Sequence, residues 1–207
     1  MKRWPLVLIG LCMLVFGGCS SLKGYMEGYI EIGKERGMSE EYLNSLQRWT
    51  RDQTAYSEFE TRFYISATYK SEAFNQAFSK EQARLLLLNK EEKERREGIQ
   101  RQAATDFTEI FFYAYTAERS ANDFGERNST WRVFLLDSAG RQIDPLEIRK
   151  VDKITPALES FFPYINKYYG FCYNVKFPRQ SGQDLRLVFT SHLGKIALTW
   201  DLQAIES

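Results

Sequence analysis

Two hydrophobic periods alternate along this chain, and the switches between them mark its elements. Over residues 22–35, Leu22, Tyr25, Met26, Tyr29 and Ile30 recur at helical spacing, with Lys23, Glu27, Glu31 and Lys34 largely on the other side. Gly24, Gly28 and Gly33 weaken that helix, since each interior glycine costs about 1 kcal/mol relative to alanine. A second short helix is better marked. Ser39 can cap it, Glu40 and Glu41 suit the positive end of its dipole, and Tyr42, Leu43, Leu46 and Trp49 form one stripe.

From Glu58 the period becomes two. Phe59, Thr61, Phe63, Ile65 and Ala67 alternate with Glu58, Glu60, Arg62, Tyr64 and Ser66, which predicts a strand with one buried face. Helical spacing returns with Phe74, Phe78, Leu85 and Leu88, followed by the almost wholly charged residues 89–97. Mixed-sign charges three and four apart there predict a solvated helix face.

Everything after Asp106 reads as sheet. Residues 107–115 form a dense aromatic strand, and Trp131, Val133 and Leu135 alternate up to a turn at Asp137, Ser138, Ala139 and Gly140. Ile143, Leu146 and Ile148 follow as one segment interrupted by Pro145, which favours an edge or a bulge. Residues 161–169 are an aromatic connection. Phe171, Tyr173, Val175 and Phe177 then alternate up to Pro178. The last hairpin pairs Leu185, Leu187 and Phe189 with Ile196, Leu198 and Trp200 around a turn at residues 192–194. About seven antiparallel strands with short turns predict a mainly β, α+β chain. The expected architecture is an immunoglobulin-like antiparallel β-sandwich with N-terminal helices and one inserted helix. Trp131, Val133, Phe171, Tyr173, Leu187, Leu198 and Trp200 are its candidate core.

The N-terminus changes the picture most. Lys2 and Arg3 precede an apolar run over residues 6–16, and Gly17 and Gly18 lead directly into Cys19. This pattern resembles the signal peptide and lipobox of a bacterial lipoprotein. Phe16 stands where the family usually has Leu, and Gly17 where it has Ala or Ser. An apolar residue followed by two small ones preserves the shape of the site. The resemblance implies cleavage between Gly18 and Cys19 and a thioether-linked diacylglycerol on Cys19, with the new N-terminus open to acylation. It covers nineteen residues and says nothing about the mature domain. An uncleaved span would need ~20 apolar residues, and an ordinary secretory signal would not need the cysteine. Ser20, where an Asp would signal retention, resembles lipoproteins passed to the outer membrane; its periplasmic face is the expected address in a host with two membranes.

The chain then divides into a signal peptide (1–18), a lipidated N-terminus with short helices (19–56), and a sandwich domain (57–207) with a helical insertion at about 71–104. Removing residues 1–18 leaves 189 of 207 residues and shifts the formal charge from +1 to −1. A near-neutral chain offers no electrostatic case for nucleic acid. Of three cysteines, Cys172 alone stays without a role, either as a buried inert thiol or as an intermolecular or reactive one. The tether is short, so the helix over 22–35 must pack on the domain or lie at the membrane. Its glycines and the lack of a strongly basic face favour packing on the domain.

Catalytic chemistry is scarce in the pattern. His192 is the only histidine and falls in a predicted turn, which excludes multi-His zinc sites and disfavours a Ser–His–Asp triad. No phosphate loop, dinucleotide fingerprint or spaced cysteine cluster is present. The carboxylate pairs Glu40–Glu41 and Glu91–Glu92 lie in exposed-looking helices. No catalytic, cofactor-binding or metal-binding residue is therefore assigned, and no cofactor is expected. Aromatic residues make up 15% of the chain, with twelve Tyr. Tyr113, Tyr115, Tyr164, Tyr168, Tyr169 and Tyr173 cluster in the sheet region, where tyrosines serve both cores and interfaces.

The expected function is a non-catalytic, membrane-anchored envelope lipoprotein whose domain binds a protein partner in assembly or maintenance of the envelope. The alternative is an envelope module for a carbohydrate or other small ligand, and an enzyme ranks third. Stacked exposed Trp or Tyr with nearby polar groups would favour the ligand module. An apolar patch or an open sheet edge would favour the partner module.

Overall fold

The structure, a computed structural model, describes residues 21–57, 60–180, 182 and 184–203. Two helices, α1 (Ser21–Glu35) and α2 (Glu40–Trp49), lead into a hairpin of β1 (Thr50–Ser57) and β2 (Glu60–Tyr69). A helical pair follows, α3 (Glu72–Leu85) and α4 (Lys90–Asp106), and then β3 (Phe107–Thr116). The remaining elements are β4 (Arg132–Leu136), β5 (Gln142–Ile143), β6 (Glu147–Lys150), α5 (Pro156–Phe161), β7 (Gly170–Pro178), β8 (Asp184–Ser191) and β9 (Gly194–Asp201). The fold is α+β. Its strands form two antiparallel sheets, ordered β1-β2-β3-β7-β6 and β5-β4-β8-β9.

The central strands β2 and β3 of the five-stranded sheet are buried on both faces over most of their length, which the alternation in β2 did not foretell. One face meets the other sheet: Phe63 packs edge-on to Trp131 at 4.7 Å, and Phe112 on Phe189 at 5.1 Å. The opposite face is covered by helices and the 162–165 loop, with Phe111 on Phe162 at 4.3 Å and Tyr64 beside Tyr29. Tyr64, Ser66 and Thr68 sit at the polar positions of the strand, yet all three are buried by this helical layer.

Local chemistry explains most boundaries. Ser39, Ser71, Asn89 and Thr155 cap α2, α3, α4 and α5, each accepting from the backbone N–H three residues on. Helix α1 ends at Gly37, whose φ of +78° closes a Schellman turn: Met38 N donates to Gly33 O at 3.1 Å and Gly37 N to Lys34 O at 2.9 Å. Gly33 also lets Leu43 approach; a Cβ there would stand 2.5 Å from Leu43 Cδ2. Gly33, which weakens α1 in isolation, is thus part of its docking, and α1 packs on the domain through Tyr29 and Ile30.

The structure corrects several expectations. The insertion holds two helices, because the Leu85–Leu88 segment turns the chain. Residues 50–57 are a strand rather than part of the helical N-terminus, and their mixed polar pattern reflects a half-buried strand. Pro145 separates β5 and β6 into different sheets, so the expected single segment is two. The 161–169 connection begins with the last residue of α5, whose start is set by Thr155 and Pro156. Every candidate core residue is buried except Phe171, which is half-buried between Lys150 and Arg119, the Lys150 ammonium 3.5 Å from its ring centre.

Candidate functional site

A cleft of about 810 Å³ opens on the helical side of the five-stranded sheet. Its floor is Asp52 and Thr54 of β1, Tyr64 of β2, and Tyr113 and Tyr115 of β3. The register makes this set: Thr54 pairs with Tyr64, Tyr64 with Tyr115, and Asp52 with Ser66, so these side chains share one face. One wall is α1, through Tyr29 and Ile32, with Arg36 just past its end. The other is the loop after α5, through Pro163, Tyr164, Ile165, Asn166 and Tyr169. The β1–β2 pairing slips between Ala55 and Tyr56, leaving Arg62 without a register partner. That bulge sets Tyr56 opposite Thr61, and both line the end of the cleft.

Seven tyrosines therefore line one cleft. They divide into two groups. The deep ones are tied to the protein: Tyr164 Oη shares a 2.8 Å hydrogen bond with Thr68 Oγ1, Tyr113 Oη donates to Asn166 O at 3.0 Å, and Tyr64 and Tyr29 share one at 3.3 Å. The others are open to solvent, Tyr56 at 69% and Tyr169 at 66% exposure, with Tyr115 half-buried. A hydrogen-bonded polar base and accessible tyrosines thus share one cleft.

Gly170 holds the floor in place. A Cβ there would lie 2.3 Å from Ala114 O and 2.5 Å from the Tyr113 ring. Only a glycine lets Tyr113 lie across the start of β7 and reach Asn166.

The charges in the cleft are Arg36 and Asp52. Arg36 donates to Glu159 O, on the α5 side. Asp52 has neither a hydrogen bond nor an ion pair among the described residues, and burial raises its pKa. The remaining half-buried or buried carboxylates are provided for. Glu81 binds Arg84 and Ser39, Glu109 binds Lys70 and Lys176, Glu159 binds Lys167, and Asp137 binds Arg141. Glu92 faces Arg96, Glu97 faces Lys93, and Asp123 accepts from Ser129 and Thr130.

A second surface feature is the turn between α3 and α4. Leu88 N donates to Ala83 O at 3.1 Å and Leu86 N to Gln82 O, a Schellman-type ending with Leu87 at the left-handed position (φ +49°) that glycine usually takes. Leu87 is 89% exposed, and Leu85 and Leu86 are exposed beside it. Two of the sheet edges, β1 and β9, lie against each other. Arg51 Nε donates to Thr199 O and Ala197 N to Gln53 Oε1, joining β1 to β9, while Gly125 sits against Ile148 O on β6.

Other sequence candidates find plain places. His192 is exposed in the β8–β9 turn. Cys172 is buried, and burial pushes its thiol up to about 12, so it is an inert core residue. Among the described residues no group of three or more His, Cys, Asp and Glu is placed to hold a metal ion, and no helix is long and apolar enough to cross a membrane. Gly18 and Cys19 lie outside the described residues. Of the tyrosines singled out by sequence, Tyr113, Tyr115, Tyr164 and Tyr169 meet in the cleft. Tyr168 is exposed nearby, and Tyr173 packs between the sheets on Phe112. Sequence reasoning missed Tyr29, Tyr56, Tyr64 and Asp52. Tyr64 carried a usable signal, an aromatic on the polar side of an alternating strand.

No family model matches the chain, and no curated protein matches it. A crystal structure of a novel protein of unknown function from Burkholderia pseudomallei is similar over 87% of this chain and 91% of that one. The likeness has a TM-score of 0.43 at 9% sequence identity and carries no argument about this chain.

Proposed function

We propose that this protein is a non-catalytic, lipid-anchored binding module of the bacterial envelope, tethered at Cys19, that holds a small envelope ligand in its tyrosine-lined cleft. The observation that carries the reading is the cleft itself: Tyr56, Tyr115 and Tyr169 line it together with a hydrogen-bonded base and the unpaired Asp52 carboxylate. The joining of β1 to β9 weighs against strand addition by a partner at those two edges. Facing aromatic rings between the two sheets support an immunoglobulin-like sandwich as the scaffold, and the lipobox pattern supports outer-membrane anchoring.

The protein-partner reading keeps one specific support, the exposed Leu85–Leu87 tip. Photo-crosslinkers placed at Tyr169 or at Leu87 in the full-length lipoprotein in native envelopes separate the two. A low-mass adduct at Tyr169 is expected; protein adducts at Leu87 with none at Tyr169 would overturn the cleft reading. Cys19→Ser is expected to abolish labelling by radioactive fatty acid and leave the uncleaved precursor, and normal labelling would remove the anchor from the proposal.

A further inference from the structure

Resting on the cleft as the recognition surface, we infer that its ligand carries a cationic amine, a primary or quaternary ammonium seated between the Asp52 carboxylate and the tyrosine rings. Every other half-buried carboxylate among the described residues has a cation or a set of hydrogen-bond donors, and Asp52 has neither. A carboxylate partly withdrawn from water and left unpaired is unfavourable in the free protein, because desolvation penalises its charged form. The lining holds one cation, Arg36, and no ion pair joins it to Asp52, which leaves the carboxylate open to a positive charge brought from outside.

The surroundings suit such a group. Aromatic faces carry the negative lobe of the ring quadrupole and attract ammonium ions within about 6 Å of the ring centre. Tyr56, Tyr115 and Tyr169 supply faces at the mouth, and Thr54, Thr61 and Asn166 supply oxygen acceptors. The one cation in the lining, Arg36, is engaged by Glu159 O on the opposite wall. A neutral saccharide could stack on the same rings and donate hydroxyls to Asp52, as Ser129 and Thr130 do to Asp123, but it would bring no opposite charge to the half-buried carboxylate.

Titration calorimetry on the full-length lipoprotein in neutral detergent tests this with three probes. Putrescine stands for a free diamine, phosphoethanolamine for a lipid headgroup, and an N-acetylglucosamine trimer for a neutral saccharide. Saturable binding of either amine is expected, weakened roughly tenfold or more by Asp52→Asn, since a hydrogen bond to a charged group is worth about 1.5–3 kcal/mol. Asp52→Glu is expected to keep part of the affinity, and Tyr56→Ala to lower it. Which amine binds tells a headgroup from a soluble ligand. Binding of the saccharide without either amine would overturn the cationic assignment and leave the cleft reading standing. Amine affinity unchanged in a folded Asp52→Asn, or no amine binding at millimolar concentration, would overturn the assignment as well.

Discussion

Gly170→Ala is expected to destabilise the protein and displace the cleft floor together. The added Cβ would stand 2.3 Å from Ala114 O and 2.5 Å from Tyr113 Cζ, about 1 Å inside ordinary contact in each case. Neither neighbour can yield freely. Ala114 O accepts from Asn122 Nδ2 at 2.7 Å, and Tyr113 Oη donates to Asn166 O at 3.0 Å. Overpacking costs about 1–3 kcal/mol, and breaking one of these hydrogen bonds adds about 0.5–1.5 kcal/mol. The sum is roughly 2–4 kcal/mol, which for a chain of this size lowers Tm by about 4–16 °C. Urea unfolding followed by tryptophan fluorescence measures the loss, and an unchanged m-value shows that the denatured state is unaffected. A destabilisation below about 0.5 kcal/mol would refute the argument that glycine is required here by steric contact.

Three further outcomes are expected. Trp200→Ala removes a fully buried ring and the 2.8 Å bond its Nε1–H donates to Trp49 O, and should cost about 3–5 kcal/mol in denaturant unfolding; below about 1 kcal/mol, the ring would not be core. For Glu81, burial would raise the carboxyl pKa, but hydrogen bonds from Arg84 and Ser39 outweigh it and leave it below its ordinary 4.5. Its contribution is then present at neutral pH and lost as pH falls below about 4.5, so the parent should lose stability with acid more steeply than Glu81→Gln; parallel pH profiles would contradict this. Leu87→Gly relieves a left-handed backbone at an exposed leucine and should raise stability by about 1 kcal/mol in thermal unfolding, whereas a drop would mean the side chain is held in place by contacts.

Period and capping chemistry are local, and they were legible in the sequence. The caps at Ser39, the last hairpin around His192, and the alternating core of β4, β7, β8 and β9 all follow from residues within a few positions of one another. Their identity as α+β with antiparallel sheets follows too, because strand alternation and short turns leave few other pairings. Tertiary packing decided what alternation could not express. Tyr64 and Ser66 look solvent-facing along β2, and become buried only because α1, α2 and the loop after α5 close over that face. Residues 50–57 carry no clean period, and become a strand because β2 offers them a partner. The cleft has the same origin. Asp52, Tyr64, Tyr115 and Tyr169 are scattered over more than a hundred residues, and cross-strand register alone sets the first three on one floor. The stretch from Phe16 to Cys19 is the reverse case: a contiguous pattern that resembles a lipobox, it carries the proposed address from sequence alone, since a peptidase acts on local shape.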